Sequence, residues 1–420
     1  MLPLKMHFFY ILERKQVKIM MMKYELKKFF HKKINKIILI VMVFLASIIS
    51  CLAVGSMRYR DAEGKLYTGI TAGRRLAADR NKWKGKLTVE KIKEVVENRK
   101  TLEQIYPEDI PDAEYGKTAQ SYDDILSFII YVITPDSGYD QNVLYRLSDE
   151  ELENFYSTYE ENIQKMVQSY GKSSKQQEFL KRKYEEIEMP LDYAAKDSWD
   201  TMAMYAQTYG IILAVVIGFL AAGIFADEFR TKAEAVFFST KYGRSKATRN
   251  KLLTGIVMTT VVYWTGMGIL SIVSFGVMGT SGFLTPYQID QPYSIYSMTY
   301  GEYYFLILLC GYIASLFSAA ITMLVTVKMH SANLAICIPF FLYCMMPFIG
   351  RAVPVFETFF NIMPSVFMNI IEYAKVPIIF QIGPIVVRQI PFVMSIYGIL
   401  AIILLPLVYK NFSKYGIQKF

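Results

Sequence analysis

Residues 226–251 read ADEFRTKAEAVFFSTKYGRSKATRNK and lie between two long apolar runs, 211–225 and 252–278. The stretch carries seven bases: Arg230, Lys232, Lys241, Arg244, Lys246, Arg249 and Lys251. Each Lys or Arg at a bilayer centre costs roughly 2.5–3.5 kcal/mol on the insertion scale. Seven cannot sit in lipid, so the flanking runs are membrane spans and the stretch is a loop between them. Its excess of bases places that loop on the cytoplasmic side. Phe229, Ala233, Val236, Phe237 and Thr240 fall on one helical face, while Glu228, Arg230, Lys232 and Glu234 fall off it. The pattern predicts a short amphipathic helix at the membrane surface, able to rest on lipid or to dock into a partner's groove.

Outward from this loop, the chain of 420 residues is 53% hydrophobic, with a mean hydropathy of +0.25. Long, nearly uncharged runs make it an all-α, multi-span membrane protein. Six spans are predicted, at 37–57, 206–226, 252–278, 303–327, 332–349 and 392–409. Pro339 is expected to kink the fifth. The formal net charge of +9 is uneven. Residues 1–36 hold ten bases (Lys5, Arg14, Lys15, Lys18, Lys23, Lys27, Lys28, Lys32, Lys33 and Lys36) against Glu13 and Glu25. Residues 58–205 hold 22 bases and 28 acids. The basic charge therefore reads as a topology signal, with no nucleic-acid partner. Lys32, Lys33, Lys36, Arg249, Lys251 and Lys410 are the expected topology anchors. Leu26, Phe29, Phe30 and Ile34 make a stripe that predicts an interfacial helix within the cytoplasmic segment 1–36.

Between the first two spans, 58–205 is long enough for a domain of its own. One span precedes it, so it is expected outside the cytoplasm. Val89, Ile92, Val95, Val96 and Leu102 keep a helical period. Ser121 with Asp124, Ser148 with Glu151, and Ser174 with Gln177 have the spacing of helix-opening boxes, and Leu147 with Leu152 that of a hydrophobic staple. Residues 351–391 are apolar but broken by Pro354, Pro364, Pro377, Pro384 and Pro391. The tail 410–420 has Lys410, Lys414 and Lys419 and no acid, which puts both termini inside the cell membrane. Even parity then requires 351–391 to be a re-entrant hairpin before the sixth span.

The chemistry-bearing motifs are few. Gly116-Lys117-Thr118 and Gly171-Lys172-Ser173 lack the first glycine of a phosphate loop, which is Pro111 in one case and Met166 in the other. Cys51, Cys310, Cys337 and Cys344 lack metal-site spacing and read as buried small hydrophobes, so no metal or cofactor is expected. The spans show no His and no acid pair, which excludes the usual intramembrane catalytic groups; the chain is not expected to be an enzyme.

A resemblance adds to this. Phe225-Ala226-Asp227-Glu228-Phe229-Arg230, then Ser239-Thr240-Lys241-Tyr242-Gly243-Arg244, then Lys251-Leu252-Leu253, follow one span and a large external domain. This resembles the permease subunit of type-2 ATP-binding-cassette (ABC) exporters. There an acidic residue ends the second span and a small-residue–Gly/Ser–Arg segment precedes the third. Met189-Pro190-Leu191-Asp192-Tyr193 and Trp199 are similar to permeases of this group from Gram-positive bacteria. Lys232-Ala233 stands where a Gly-Thr pair is usual. The resemblance implies that 226–251 is a coupling loop resting in a separate ATPase chain. Glu228, Phe229, Arg230, Ala233, Phe237, Ser239, Thr240, Gly243 and Arg244 would then form the docking set. It also implies pairing with a second copy or a sister permease, and export of a peptide, lipid or other amphipathic cargo. The reading from another class is a membrane-anchored receptor or assembly protein whose external domain binds a ligand.

Overall fold

The computed structural model describes residues 20–135, 138–352 and 357–416. Lys5, Arg14, Lys15, Lys18, Pro354 and Lys419, part of the patterns above, lie outside them. Helix α1 covers 20–31. It breaks at Lys32, where Asn35 Nδ2 donates back to the Phe29 carbonyl at 2.9 Å. Phe29 is buried as its stripe predicts, but Ile34 is exposed. Helix α2 (Lys33–Ser56) is the first apolar helix long enough to span a membrane. It turns Met42, Ala46, Ile49 and Ala53 inward and leaves Ile40, Val41, Phe44 and Leu52 on its outer face.

Residues 57–196 form a polar domain. Strands β1 (Arg58–Arg60) and β2 (Leu66–Thr68) pair antiparallel, and α3 (Ala72–Arg80) follows. Strand β3 (Gly85–Lys86) pairs with β4 (Asp192–Tyr193), which draws the two ends of the domain together. Between them run α4 (Val89–Ile105), α5 (Asp112–Lys117), α6 (Asp123–Ile133), α7 (Val143–Arg146), α8 (Asp149–Glu153), α9 (Phe155–Tyr170) and α10 (Ser174–Glu185). Helices α4, α6 and α9 close over Ile92, Val95, Phe128, Ile129 and Phe155, all buried.

Of the three expected helix openings, one stands as read. Ser148 and Glu151 form the full reciprocal box at α8, and Leu147 and Leu152 are buried beside it. At α10 the cap is one residue earlier and one-sided: Ser173 Oγ accepts from the Gln176 N–H at 3.3 Å, while Gln176 Oε1 accepts from the Lys172 N–H at 2.8 Å. At α6 there is no box. Ser121 Oγ donates to the Thr118 carbonyl at 2.7 Å and accepts from Trp83 Nε1 at 3.0 Å, so it is committed elsewhere.

Glu103, near the end of α4, accepts from Arg99 and Gln141. Burial opposes its charge, but hydrogen bonds from Tyr145 and Arg99 outweigh this and hold its carboxyl below the usual 4.5. A carboxyl lowered on folding stabilises above its unfolded value and loses that contribution as pH falls through its folded value. Acidification from neutral pH is thus expected to loosen the α4–α7 contact, and Glu103→Gln to remove that acid sensitivity. Amide exchange of α4 and α7 across the pH series checks it.

Helix α11 (Asp197–Arg230) begins well before residue 206, so the polar domain ends near Lys196 and not at 205. Asp197 and Asp200 sit in its first turn, where carboxylates complement the helix dipole. Next come the short α12 (Glu234–Ser239) and a π-helical turn (Gly243–Ala247), then α13 (Thr248–Met278). Helix α14 (Tyr300–Met329) opens on a Thr299–Glu302 capping box and ends on His330 at φ +55°. Ser331 caps α15 (Ala332–Phe340). After Pro339 the helix widens into a π turn (Phe341–Met345) before α16 (Met346–Ala352), the local unwinding that a missing N–H permits. Then come α17 (Glu357–Phe360), a 3-10 turn (Pro364–Met368) and α18 (Ile370–Tyr373). Strands β5 (Ile379–Ile382) and β6 (Ile385–Arg388) and helix α19 (Gln389–Ser413) complete the chain.

Among the described residues, six helices are long and apolar enough to cross a membrane, the composition of a multi-pass helical membrane protein. Helices α11 and α14 form the central pair. Small residues let them approach: Ser318 Oγ donates to the Ala214 carbonyl at 2.6 Å, a direct interhelical bond of the kind apolar surroundings favour. Tyr263, Tyr209 and Tyr343 likewise donate to carbonyls of neighbouring helices.

The described part of 351–391 is broken into short pieces, with no helix long enough to cross a membrane among them. It holds short helical turns and a β-hairpin whose turn residue Gly383 has φ +59°. Ile379, Ile385, Val386 and Val387 are β-branched and flank Gly383-Pro384, which is hairpin chemistry. The hairpin meets the polar domain through Ser173 Oγ and Gln381 Oε1 at 2.7 Å. With three small antiparallel ladders among the described residues, the fold is mostly helical and not strictly all-α. Cys310 is buried, but Cys51 and Cys337 are exposed on the bundle's outer face, contrary to the expectation for all four.

Candidate functional site

The bundle has two different ends. At one, the polar domain is seated on the helix ends: Arg74 donates from Nε to the Val277 carbonyl at 2.8 Å and from Nη2 to Gly276 at 2.7 Å. A guanidinium there satisfies the orphan carbonyls of α13. At the other end, α1 and the 226–251 loop meet.

Asp227 and Glu228 end α11, the wrong end of the helix dipole for carboxylates, and both are buried. Bases from elsewhere offset this. Asp227 pairs with Lys32, with Lys28 at 3.9 Å and with Arg230 at 3.3 Å. Glu228 pairs with Lys28 at 3.1 Å and Lys251 at 2.8 Å. Lys251, 1% exposed, also reaches Glu25 at 3.5 Å and donates to the Ile224 carbonyl at 3.1 Å. Burial opposes the charge on Lys28, but Glu228 and, further off, Glu25 and Asp227 raise its pKa above 10.5. Four bases and three acids thus tie α1, α11 and α13 into one ionic knot.

Beside the knot lies an aromatic clamp. The Phe229 and His330 rings pack tilted with centroids 4.6 Å apart, and His330 and Tyr415 meet edge-on at 4.8 Å. Phe412 contacts Phe225 at 4.8 Å and Phe238 at 5.0 Å. Arg244 lies over the Phe238 ring at 4.8 Å and donates to the Ser413 and Tyr415 carbonyls at 2.9 and 2.7 Å. The loop is therefore bolted to the last turn of α19.

This geometry redistributes the expected docking set. The single helix predicted through 229–240 is broken, because Lys232 sits at φ +53°. Glycine adopts that conformation without strain. Glu228 is buried in the knot; Phe229, Ala233, Phe237 and Arg244 are half-buried, and Gly243 is buried. A Cβ on Gly243 would overlap the Phe237 carbonyl oxygen, so a glycine is required there. Arg230, Ser239 and Thr240 do face outward, together with Lys232, Lys241 and Tyr242. Val236, placed on the apolar stripe, is 70% exposed, while Phe238, off the stripe, is buried.

The anchors also divide. Lys33, Lys36, Arg249 and Lys410 are exposed, whereas Lys32 and Lys251 are ion-pair partners inside the knot. Sequence reasoning passed over Asp227, Glu25 and Lys28 as structural partners. Their signal was present: Glu25 and Lys28, three residues apart, share one face of α1, and Lys32 follows at the break four residues on. The chain matches no protein-family model and none of the curated proteins.

Proposed function

We propose that this chain is the permease subunit of an ABC exporter, driven by a separate ATPase chain and paired with a second copy or a sister permease. The observation that carries this reading is the state of α12. Its Val236 is 70% exposed with Arg230, Lys232 and Lys241 around it, while Phe237 and Phe238 on its other side hold it to Phe412. A partner that grips the outer face therefore pulls on α11, α13 and α19 together. The basic end carries the lysines of α1 and of the loop, so it is the cytoplasmic end in this reading. The polar domain and the β-hairpin, at the opposite end, then lie outside the cell membrane, and both termini inside. The cargo class is amphipathic: a peptide or a lipid.

The test is co-purification from the native membrane. An ATPase subunit is expected to travel with the wild-type chain, and Val236→Asp with Lys241→Glu to reduce the yield of that complex at least about tenfold, the loss expected for an anchor at an interface centre. Both side chains are exposed, so the variant should elute as the wild type does. If no ATPase accompanies the wild type, or if the double variant retains it fully, the permease reading fails and the receptor reading takes its place.

A further inference from the structure

Between α13, α14 and α19 runs an apolar groove of about 310 Å³. Ala319 and Ala320 of α14, each 2% exposed, are its floor. Ile256 and Thr259 stand on the α13 side, Gly398 and Ile402 on the α19 side. The groove opens sideways, where Ile402 is 68% exposed. Thr259 brings its one hydroxyl among the described residues, and that Oγ1 donates to the Gly255 carbonyl at 2.9 Å. No polar side chain in the wall is left to recognise a ligand, so an occupant is held there by apolar contact.

Its dimensions select the occupant. Along α14 it runs from Ile313 to Met323, about 15 Å at 1.5 Å per residue. A volume of about 310 Å³ over that length leaves a mean cross-section of about 20 Å², or about 4–5 Å across. A helix of a second copy, about 10–12 Å wide with its side chains, does not fit. A single polymethylene chain does, since carbons pack at about 3.5–4.0 Å. The length is also that of one leaflet, half of a hydrocarbon core about 30 Å thick. The depth agrees. Met323, Ile256 and Leu405 form the lower edge, six to eight residues from the ends of α14, α13 and α19 nearest the basic loop. Below it, Arg249 lies seven residues before Ile256 on the same face of α13, about 10 Å nearer that end. Arg249 is exposed and takes part in no ion pair among the described residues. We infer that the groove seats one acyl chain of a phospholipid from the leaflet at the basic end, with the Arg249 guanidinium receiving its phosphate. The guanidinium fork suits phosphate oxygens. The second acyl chain stays in the bilayer, and the seated one fills the gap that Gly398 and the two alanines leave between the helices. This lipid is a resident of the bundle's flank and not its cargo.

The experiment is native mass spectrometry of the full chain in detergent, titrated with dioleoylphosphatidylglycerol and with dioleoylglycerol, which has the same chains and no phosphate. One saturable phosphatidylglycerol adduct per chain is expected, with dioleoylglycerol at least about tenfold weaker, the loss expected for one charged hydrogen bond. Gly398→Phe fills the groove. A Cβ there meets nothing within 4 Å, and phenylalanine suits a helix better than glycine, so the variant should fold and bind both lipids at least about tenfold more weakly, having displaced several methylenes. Arg249→Gln, at an exposed position, should weaken phosphatidylglycerol about tenfold and leave dioleoylglycerol unchanged. Ile399→Phe, on the 57% exposed neighbour of Gly398, is the control and should change neither. Adducts indifferent to Gly398→Phe, or weakened as much by Ile399→Phe, are ordinary boundary lipid and overturn the inference. So does phosphatidylglycerol binding unmoved by Arg249→Gln, or a Gly398→Phe chain that loses a dimer and keeps its lipid. None of these outcomes reads ATPase association, so this inference can fail while the permease reading stands, and the reverse.

Discussion

Lys251→Met is expected to lower stability by about 3–5 kcal/mol, the loss seen when one partner of a buried ion pair is removed. Lys251 is 1% exposed and bridges Glu228 at 2.8 Å and Glu25 at 3.5 Å. Methionine replaces the length of the side chain but not its charge. Glu228 would keep only Lys28, at 3.1 Å, and one of its carboxylate oxygens already lacks a hydrogen-bond partner among the described residues. The loss should therefore come from a stranded carboxylate more than from lost packing. Adding Glu228→Gln should recover part of it, which a double-mutant cycle of unfolding in detergent would read as a coupling energy. A loss below about 1 kcal/mol, the ordinary value for exposed pairs, would mean that water reaches the knot and that the three helices are not tied there.

Arg80→Met should be comparably damaging at the opposite end, again about 3–5 kcal/mol. Arg80 Nη1 joins Asp124 at 2.9 Å and Asp197 at 2.8 Å, with side-chain exposures of 11%, 5% and 15% for the three residues. Asp124 belongs to the polar domain and Asp197 opens α11, so this guanidinium fastens the domain to the bundle. Burial works against its charge, and the two carboxylates more than offset that, raising its pKa well above the usual guanidinium value. Burial also pushes the Asp124 carboxyl up, with Arg80 opposing it. Without Arg80 the push is opposed only by the Lys196 charge and the Tyr193 hydrogen bond, and Asp124 is expected to take up a proton more readily. A carboxyl raised on folding contributes stability below its unfolded value and loses it as pH rises through its folded value. Arg80→Met should thus be least damaging in acid and most damaging above neutrality. The control is Arg60→Met: its pair with Asp112 is 30% and 61% exposed, and its loss should stay within about 1 kcal/mol. Thermal unfolding of both variants across pH separates the cases; equal losses would refute the fastening role.

The apolar helices were legible in the sequence because their signal is a sum over many residues. Ile37 to Met57 carries no charge, and no single neighbour decides its fate. The fate of Glu228, Lys251 and Arg244 depends on partners far along the chain: Lys28, Glu25, and the Ser413 and Tyr415 carbonyls. Spacing within one segment does not reveal such partners. Val236 and Phe238 changed places for a related reason. A helical stripe says which residues share a face, but the turn at Lys232 rotated that face before α12 began. The hairpin after α18 was missed because apolarity alone does not separate a buried strand from a lipid-facing helix. Its Gly383-Pro384 turn was the more informative mark.

Helix α11 runs unbroken by proline from Asp197, which meets Arg80, to Asp227 and Glu228, which meet the lysines of α1. At 1.5 Å per residue its 34 residues make a rod about 51 Å long. Both tips of this rod are gripped by charge, and neither can swing alone. A lean of about 5° about its midpoint would carry each tip about 2 Å in opposite directions, enough to part a hydrogen-bonded ion pair. The molecule is thus geared as a see-saw: a displacement too small to unseat the middle is large enough to be registered at both extremities.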